Sequence, residues 1–202
     1  MHIKWFGQGC CKIQNKNITL LIDPFSLSNT GIKTPKIKDG IILYSTIQEK
    51  FPQKDDKGNF CIFTPGEYEV KDVFIYALPS SKKELDKIVY RIELEDISLI
   101  HLGGVKNKPS EEIIGEIDGG DILMVPVGDK DVLSYEQAAD LVSQIEPKIV
   151  IPIYYRISNL KIKLDGVEKF SKELGVKRTI LDKLNIKKKD LPEETELIIL
   201  NP

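Results

Sequence analysis

Few side chains of this protein are of a type, and at a spacing, that would suit a catalytic or metal-binding site. It has two histidines, His2 and His101, and three cysteines, an odd number without Cys-x-x-Cys spacing. Cys10 and Cys11 are adjacent, so on a strand they point to opposite faces and cannot easily bind one metal ion together. We therefore predict free, buried thiols in a reducing compartment, which favours a cytoplasmic location.

Two other short motifs are weak signals of chemistry. Gly103 and Gly104 lie between a predicted strand and a predicted helix, and a helix N-terminus can hold an anion. Their loop lacks the Gly-Lys-Ser/Thr of a P-loop, so a tight turn is the favoured interpretation. Ser80 and Ser81 lie beside Lys82, but neighbouring loop residues more often contact solvent than form a nucleophile with its base. The chain has no Gly-x-Ser-x-Gly sequence, which argues against an α/β-hydrolase.

The overall composition excludes several classes of partner. The 202 residues include 29 Lys and Arg against 31 Asp and Glu, with a net charge of -2. This balance gives no electrostatic attraction to nucleic acid or to an anionic membrane. The basic run at residues 187–189 has no interleaved aromatic residues, so we interpret it as a solvated loop. No apolar run is long enough to span a membrane, and no signal peptide is readable.

The elements that must position any site change character along the chain. In the first half, short apolar runs flank turn signals at residues 15–17, 71–72 and 95–96, a pattern typical of β-hairpins. Helical and strand patterns alternate in the second half. Because no linker rich in Gly, Pro or Ser separates the halves, we predict one α/β domain over residues 1–202.

The second half contains the clearest helix signals. A helix is predicted over residues 109–117, and the pair Ser134 and Gln137 forms a capping box at the start of a second helix. Buried strands over residues 122–127 and 148–153 flank this second helix, which implies a parallel pair with a right-handed crossover. Asp165 and Glu168 are predicted to cap a third helix that ends at Gly175.

Six separated stretches are informative when they are taken together. They are residues 5–10 (WFGQGC), 21–25 (LIDPF), 65–70 (PGEYEV), 101–104 (HLGG), 121–128 (DILMVPVG) and 146–155 (EPKIVIPIYY). In this order they resemble the metallo-β-lactamase fold, and more closely its branch of small bacterial zinc-dependent hydrolase-like proteins related to ascorbate-phosphate lactonases. The resemblance implies a four-layered αββα sandwich, which agrees with the alternation of strands and helices.

The resemblance also implies where a site would lie. Members of this superfamily use two zinc or other divalent ions, and their ligand positions align with Ser45, Ile47, Glu49, Lys50, Lys82, Gly104 and Tyr154. Only Glu49 among these is an ordinary metal ligand, and Tyr154 is a rare one. Lysine ammonium groups would repel a dication. Four further residues are candidates for lining the pocket: Gln8, Asp23, Glu67 and His101.

From these substitutions we expect that the dinuclear metal site is absent and that the chain has no cofactor. We then expect a degenerate, non-catalytic protein with a binding, regulatory or assembly role. One alternative is a hydrolase with a reorganised site, either mononuclear, through Asp23, Glu49, Glu67 or Tyr154, or metal-free. Another is a structural subunit that pairs with an active paralogue.

The partners are left open by the sequence. Lys50 and Lys82 would suit a small anionic ligand such as a phosphate or carboxylate, and a protein partner is the other candidate. The charged stretch at residues 49–59 is either a lid or a replacement for the ligand loop of the superfamily.

Overall fold

A computed structural model describes residues 1–24, 32–47, 54–81, 84–158 and 162–202. Its first sheet contains β1 (His2–Trp5), β2 (Cys11–Gln14), β3 (Thr19–Ile22), β4 (Ile41–Leu43), β5 (Phe60–Ile62) and β13 (Leu184–Asn185). The strand order is β13-β1-β2-β3-β4-β5. The predicted turn closes the β2–β3 hairpin, because the Asn15 side chain accepts bonds from the backbone N–H groups of Asn17 and Ile18, each at 2.9 Å. β3, β4 and β5 are parallel, so their carboxyl ends share one edge.

The second sheet contains β6 (Gly66–Val70), β7 (Val73–Ser81), β8 (Glu84–Leu94), β9 (Ile97–His101), β10 (Ile122–Pro126), β11 (Ile149–Ile153), β12 (Arg178–Leu181) and β14 (Glu196–Leu200). The order is β12-β14-β11-β10-β9-β8-β7-β6. β6 to β9 form antiparallel hairpins, whereas β9, β10, β11, β14 and β12 run parallel. Both predicted turns, at residues 71–72 and 95–96, have two left-handed residues, which matches the right-handed twist of the flanking strands.

Three helices contribute the α part of the fold: α1 (Glu111–Ile117), α2 (Tyr135–Ile145) and α3 (Val167–Leu174). The predicted capping box of α2 is present, with Ser134 Oγ accepting from the Gln137 N–H at 3.3 Å and Gln137 Oε1 accepting from the Ser134 N–H at 3.0 Å. α2 connects the parallel strands β10 and β11, as the sequence predicted.

The predicted cap of α3 is wrong in one respect. The residue before the helix is Gly166, and no side chain caps the N-terminus. Asp165 instead accepts a bond from Lys169 Nζ at 2.7 Å, because its side chain reaches along the helix rather than over its first N–H groups. The predicted end is confirmed, since Gly175 adopts a left-handed φ of 63°.

One apolar core contains residues of both sheets, among them Trp5, Leu20, Ile75 and Leu99. Tyr155, after β11, stacks on Trp5 of β1 with ring centroids 4.6 Å apart. α1 contacts β7, and α2 contacts β10 and α3. These contacts confirm the predicted α/β sandwich. Within the described ranges, no helix has the length and apolar character needed to cross a membrane.

The cysteines behave as predicted. Cys10 and Cys11 lie on opposite faces, Cys11 in the main core and Cys10 in a small cluster with Leu21. Cys61 is also buried, and all three are free thiols. Burial raises the pKa of Cys11 well above its ordinary value, so its thiol stays protonated and serves as an apolar packing group.

Candidate functional site

The candidate site lies where parallel strands of both sheets end. Asp23 follows β3 and Ser45 follows β4, while Gly104 follows β9 and Tyr154 follows β11. In α/β sheets the carboxyl ends of the strands are the usual place for ligands. Asp23 and Tyr154, which follow strands of different sheets, both pack closely against Gly9 in this region.

Asp23 and Ser45 form a buried hydrogen-bonded pair. Asp23 Oδ1 accepts from the Ser45 backbone N–H at 2.6 Å, and Asp23 Oδ2 accepts from the Ser45 hydroxyl. Asp23 is only 6% exposed, so loss of hydration raises the pKa of its carboxyl group. Protonation of His101 and the two bonds from Ser45 oppose that rise. Asp23 also has a left-handed φ of 47°, a conformation that Asp and Asn tolerate better than most residues.

Tyr154 faces this pair across Gly9. A Cβ atom added to Gly9 would lie 2.8 Å from both the Tyr154 hydroxyl and Asp23 Oδ2, so the two oxygens lie close together. A Cβ on Gly104 would lie 3.1 Å from the same hydroxyl. Tyr154 is half-buried, which leaves part of its side chain in contact with solvent. Gly9 and Gly104 therefore provide the space that the tyrosine ring occupies.

Gln8 fixes the backbone beside this cluster. Its carbonyl oxygen accepts from Trp5 Nε1 at 2.8 Å and from the Tyr154 N–H at 3.1 Å, and its φ is 50°. Its side chain is buried, with 3% exposed, yet Nε2 has no hydrogen-bond partner among the described residues. An unsatisfied buried donor on a strained backbone is a recurrent feature of functional sites.

His101 is a structural residue of the site. It is fully buried, and Nε2 lies 3.0 Å from the Gly9 carbonyl oxygen while Nδ1 accepts from the Gly103 N–H at 3.1 Å. These bonds require the neutral tautomer with the proton on Nε2. Burial lowers the pKa of His101, although the charge of Asp23 opposes that change. Both ring nitrogens are engaged, so His101 holds the Gly9 loop against β9.

The other predicted positions do not join the cluster. Ile47 is half-buried against the core, and its N–H donates to the Asp86 carbonyl oxygen at 2.7 Å. Glu67 is an exposed residue of β6 and lines a separate groove with residues of β7 and α1. Three more positions lie outside the described residues: Glu49, Lys50 and Lys82.

The donor set decides which metal chemistry the described residues could support. They contain no group of three or more His, Cys, Asp and Glu side chains that could hold a metal ion. The cluster offers oxygen atoms of a carboxylate, Asp23, and of two hydroxyl groups, Ser45 and Tyr154. This set does not fit a two-zinc centre, which needs several imidazole or carboxylate ligands. Oxygen donors suit a single hard ion such as Mg²⁺ or Mn²⁺.

Comparison with known proteins gives the family. Residues 2–154 match the family described as the beta-lactamase superfamily domain. The chain belongs to the metallo-β-lactamase superfamily. A metallo-β-lactamase superfamily protein from Thermotoga maritima has the same fold, with a TM-score of 0.81 at 23% identity over 98% of this chain and 97% of that one. The metallo-β-lactamase fold protein YhfI from Bacillus subtilis gives 0.62 at 11% identity, with 98% and 93% covered.

Relatives of this superfamily member correct two of our expectations. A UPF0173 metal-dependent hydrolase of Methanopyrus kandleri is 29% identical over 194 residues, 77% of this chain and 84% of that protein. Another, of Lysinibacillus sphaericus, is 25% identical over 193 residues, 77% and 85% of the two chains. A non-catalytic protein without a cofactor was therefore the wrong expectation. It took the replacement of the usual ligand side chains as the loss of the reaction, and it judged Ser45 and Tyr154 one position at a time, whereas in the fold both lie around Asp23.

Asp23 could be named from the sequence, but the way in which Gly9 and Ser45 complete its surroundings could not. Gly9 stands in the WFGQGC stretch with nothing local to mark it. Its role depends on side chains that arrive from β3 and β11, more than ten residues away along the chain. The one available signal was the Asp-Pro sequence that ends β3, which places a carboxylate at the edge of a buried sheet.

Proposed function

We propose that this chain is a hydrolase of the metallo-β-lactamase superfamily that shares the metal dependence of its named relatives and has a reorganised site around Asp23, Ser45 and Tyr154. One observation supports the proposal above all: a buried carboxylate with two hydrogen bonds from Ser45 lies beside the Tyr154 hydroxyl at the carboxyl ends of the strands. Carboxylates with a perturbed pKa in such a position are candidates for catalysis.

Asp23 is the charged group of the proposed site. Its carboxylate accepts two bonds from Ser45, which fix its orientation and leave further lone pairs for a cation or for the proton of a water molecule. Its raised pKa strengthens it as a proton acceptor. A divalent ion bound there would polarise the oxygen of the bond to be cleaved.

Tyr154 and Gln8 are the proposed hydrogen-bond donors to the substrate. The Tyr154 hydroxyl and Asp23 Oδ2 line the same space beside Gly9, and the Tyr154 side chain is partly exposed. Gln8 supplies the unpartnered Nε2, which is a donor and therefore suits the oxygen of an ester, amide or phosphate group. The Tyr154 N–H bond to the Gln8 carbonyl keeps the two residues together.

The test compares Asp23→Asn with wild type. Asparagine tolerates the left-handed φ of 47°, and it can accept from the Ser45 N–H and donate to the Ser45 hydroxyl, so we expect this variant to fold. Hydrolysis of p-nitrophenyl acetate and bis(p-nitrophenyl) phosphate is measured after treatment with EDTA and again with Mg²⁺, Mn²⁺ or Zn²⁺. We expect kcat/KM to fall by about 100-fold or more with the best ion. Glu67→Gln, which removes an exposed carboxylate outside the cluster, serves as the control with unchanged activity.

A metal-content measurement on the same proteins separates the two roles of Asp23. Fewer bound ions in Asp23→Asn than in Glu67→Gln indicates a ligand, and equal content with lost activity indicates a proton acceptor. Wild-type protein that cleaves neither substrate with any of the three ions contradicts the proposal, as does full activity of Asp23→Asn.

A further inference from the structure

The outer face of β7 forms a long groove that the candidate site does not use. Its larger part, of about 860 Å³, has a floor of Leu78, Pro79 and Ile113. Its smaller part, of about 370 Å³, shares Leu78 with the larger one and extends to Tyr76. We call the two parts together the β7 groove. Five glutamates line it: Glu67, Glu111, Glu112 and Glu116 on the rim, and Glu93, which pairs with Arg91.

An apolar stripe continues the floor of the groove along the strand. Phe74, Tyr76 and Leu78 alternate with the buried residues Val73, Ile75 and Ala77, so they share the outward face of β7. Phe74 is 46% exposed, and only three large apolar side chains among the described residues are exposed. α1 packs beside this stripe without covering it, and β6 is the edge strand on its other side. Exposed apolar surface with a polar rim is typical of interaction sites.

The negative charge of the rim has no ion-pair partner in the part of the chain that the structure describes. The four rim glutamates form no ion pair among the described residues, and all four are exposed. The two basic groups of the lining are already engaged. Lys108 pairs with Asp140 at 3.0 Å, and Arg91 pairs with Glu93 at 2.8 Å. Among the described residues, the lining therefore presents four carboxylates that no basic side chain pairs with, and this charge suits a cationic partner.

The walls of the groove are preformed. Arg91 also donates to the Glu116 carbonyl oxygen at 2.8 Å, which ties the end of α1 to β8. At the other end, the Ser110 N–H donates to the Ser80 carbonyl oxygen at 3.2 Å. In the loop that leads to α1, the N–H groups of Lys106 and Asn107 donate to the Glu84 carboxylate at 3.0 and 3.1 Å. A preformed groove binds with little cost in ordering its own residues.

From this geometry we propose that the β7 groove docks an amphipathic helix of another protein, with apolar residues on one face and Lys or Arg along both flanks. From Tyr76 to Ser81 the groove follows about 17 Å of strand, the length of roughly 11 helical residues. The apolar floor accepts the helix face, and the carboxylates pair with the flanking cations. A second copy of this chain is a poor occupant, because a two-fold contact would place the glutamates against each other. The same charge disfavours an anionic membrane.

The test uses three synthetic peptides of about 18 residues, roughly five helical turns. The first has Leu at helical spacing and Lys on both flanks, the second has Glu in place of Lys, and the third is a scrambled form of the first without an apolar face. Binding to the full chain is measured by fluorescence anisotropy at low and at physiological salt. We expect the first peptide to bind in the micromolar range, more tightly at low salt, and the others at least tenfold more weakly.

Charge reversal on α1 supplies the matched variants. Glu112→Lys/Glu116→Lys changes two exposed, unpaired residues of the rim, so we expect a folded protein and at least tenfold weaker binding of the Leu/Lys peptide. Glu193→Lys/Glu194→Lys makes the same change in net charge on an exposed segment outside the groove and should bind within twofold of wild type.

Several results would overturn the proposal. They are equal binding of the scrambled peptide, equal weakening in both double variants, and no saturable binding of the Leu/Lys peptide. Light scattering tests whether a second copy of this chain occupies the groove. Self-association that is abolished by Glu112→Lys/Glu116→Lys, but not by the control, would assign the groove to a second copy instead.

Discussion

The hydrogen bond from Ser45 to Asp23 allows the sharpest prediction on stability. Ser45→Ala removes the hydroxyl that donates to Asp23 Oδ2 but keeps the backbone N–H that donates to Oδ1. The serine Cβ remains beside Gly103, so the change in packing there is limited to the single Oγ atom. The perturbation is therefore the loss of one hydrogen bond to a buried carboxylate.

The expected magnitude depends on the charge of Asp23. A hydrogen bond to a charged group contributes about 1.5–3 kcal/mol, and one between neutral groups about 0.5–1.5 kcal/mol. With Asp23 ionised, we expect Ser45→Ala to lower the free energy of unfolding by about 2 kcal/mol. At an m value of about 2 kcal/mol/M, this moves the midpoint of urea unfolding by about 1 M.

The direction of the pKa shift of Asp23 predicts how the stability loss in Ser45→Ala changes with pH. The pKa of Asp23 is raised in the folded protein, so the folded state binds this proton more tightly than the unfolded chain does. The free energy of unfolding therefore falls as the pH rises from the ordinary pKa of Asp to the pKa of Asp23 in the folded protein. Above the folded pKa, the whole destabilising contribution of Asp23 is present. Ser45→Ala removes a bond that favours the charged form, which raises the folded pKa further. The loss of stability in the variant must therefore be larger at high pH than at low pH.

Urea unfolding followed by circular dichroism at pH 4 and pH 8 tests this expectation. Ser45→Ala should lose about 1 kcal/mol more at pH 8 than at pH 4. In the Asp23→Asn background the same change should cost equal amounts at both pH values, because the charge is gone. Equal losses in the wild-type background would refute the reasoning, since Asp23 would then have the same charge state at both pH values.

Three further predictions concern neighbouring residues. Gly9→Ala places a Cβ 2.7 Å from a Tyr154 ring carbon and should cost about 1–3 kcal/mol in chemical denaturation, whereas Gly115→Ala, which has open space in α1, should stabilise by about 0.5–1 kcal/mol. If both changes had the same effect, the tight contact would not matter. Burial lowers the pKa of His101 in the folded protein, so its contribution to stability is complete above the ordinary pKa of His and is lost as the pH falls. In His101→Asn, the free energy of unfolding should therefore change less between pH 7 and pH 5. An unchanged pH dependence would exclude His101 as its source. Gln8→Met removes the unpartnered buried donor and should stabilise by about 1 kcal/mol while lowering hydrolysis, and a destabilised Gln8→Met would show that the amide has a partner in solution.

The hairpins and helix ends were predictable because their causes are local. The turn at residues 71–72, the capping box of Ser134 and the glycine at position 175 each act within a few residues of the chain. The sandwich itself followed from the alternation of strands and helices together with six stretches that resemble one superfamily. The wrong cap at Asp165 shows the limit of such rules, because a nearby Lys169 competes for the same carboxylate.

The function was harder to predict because it depends on contacts between distant parts of the chain. From aligned positions such as Ile47 and Gly104 we inferred that the usual donors are missing, and we expected a protein without catalysis. The named relatives contradict that expectation. The oxygen donors of the candidate site come from β3, β4 and β11, three strands of two different sheets.

The sequence by itself determined the class of fold, the position of most strands and the state of the cysteines, since alternation, turn residues and burial act through near neighbours. Only the tertiary structure decided that Asp23 is buried beside Ser45 and that Tyr154 fills the space left by two glycines. It also decided that four glutamates of the β7 groove have no ion pair with any residue that the structure describes. The physical reason is that the pKa of a carboxylate, the satisfaction of a buried amide and the charge of a groove are set by side chains that only packing brings together.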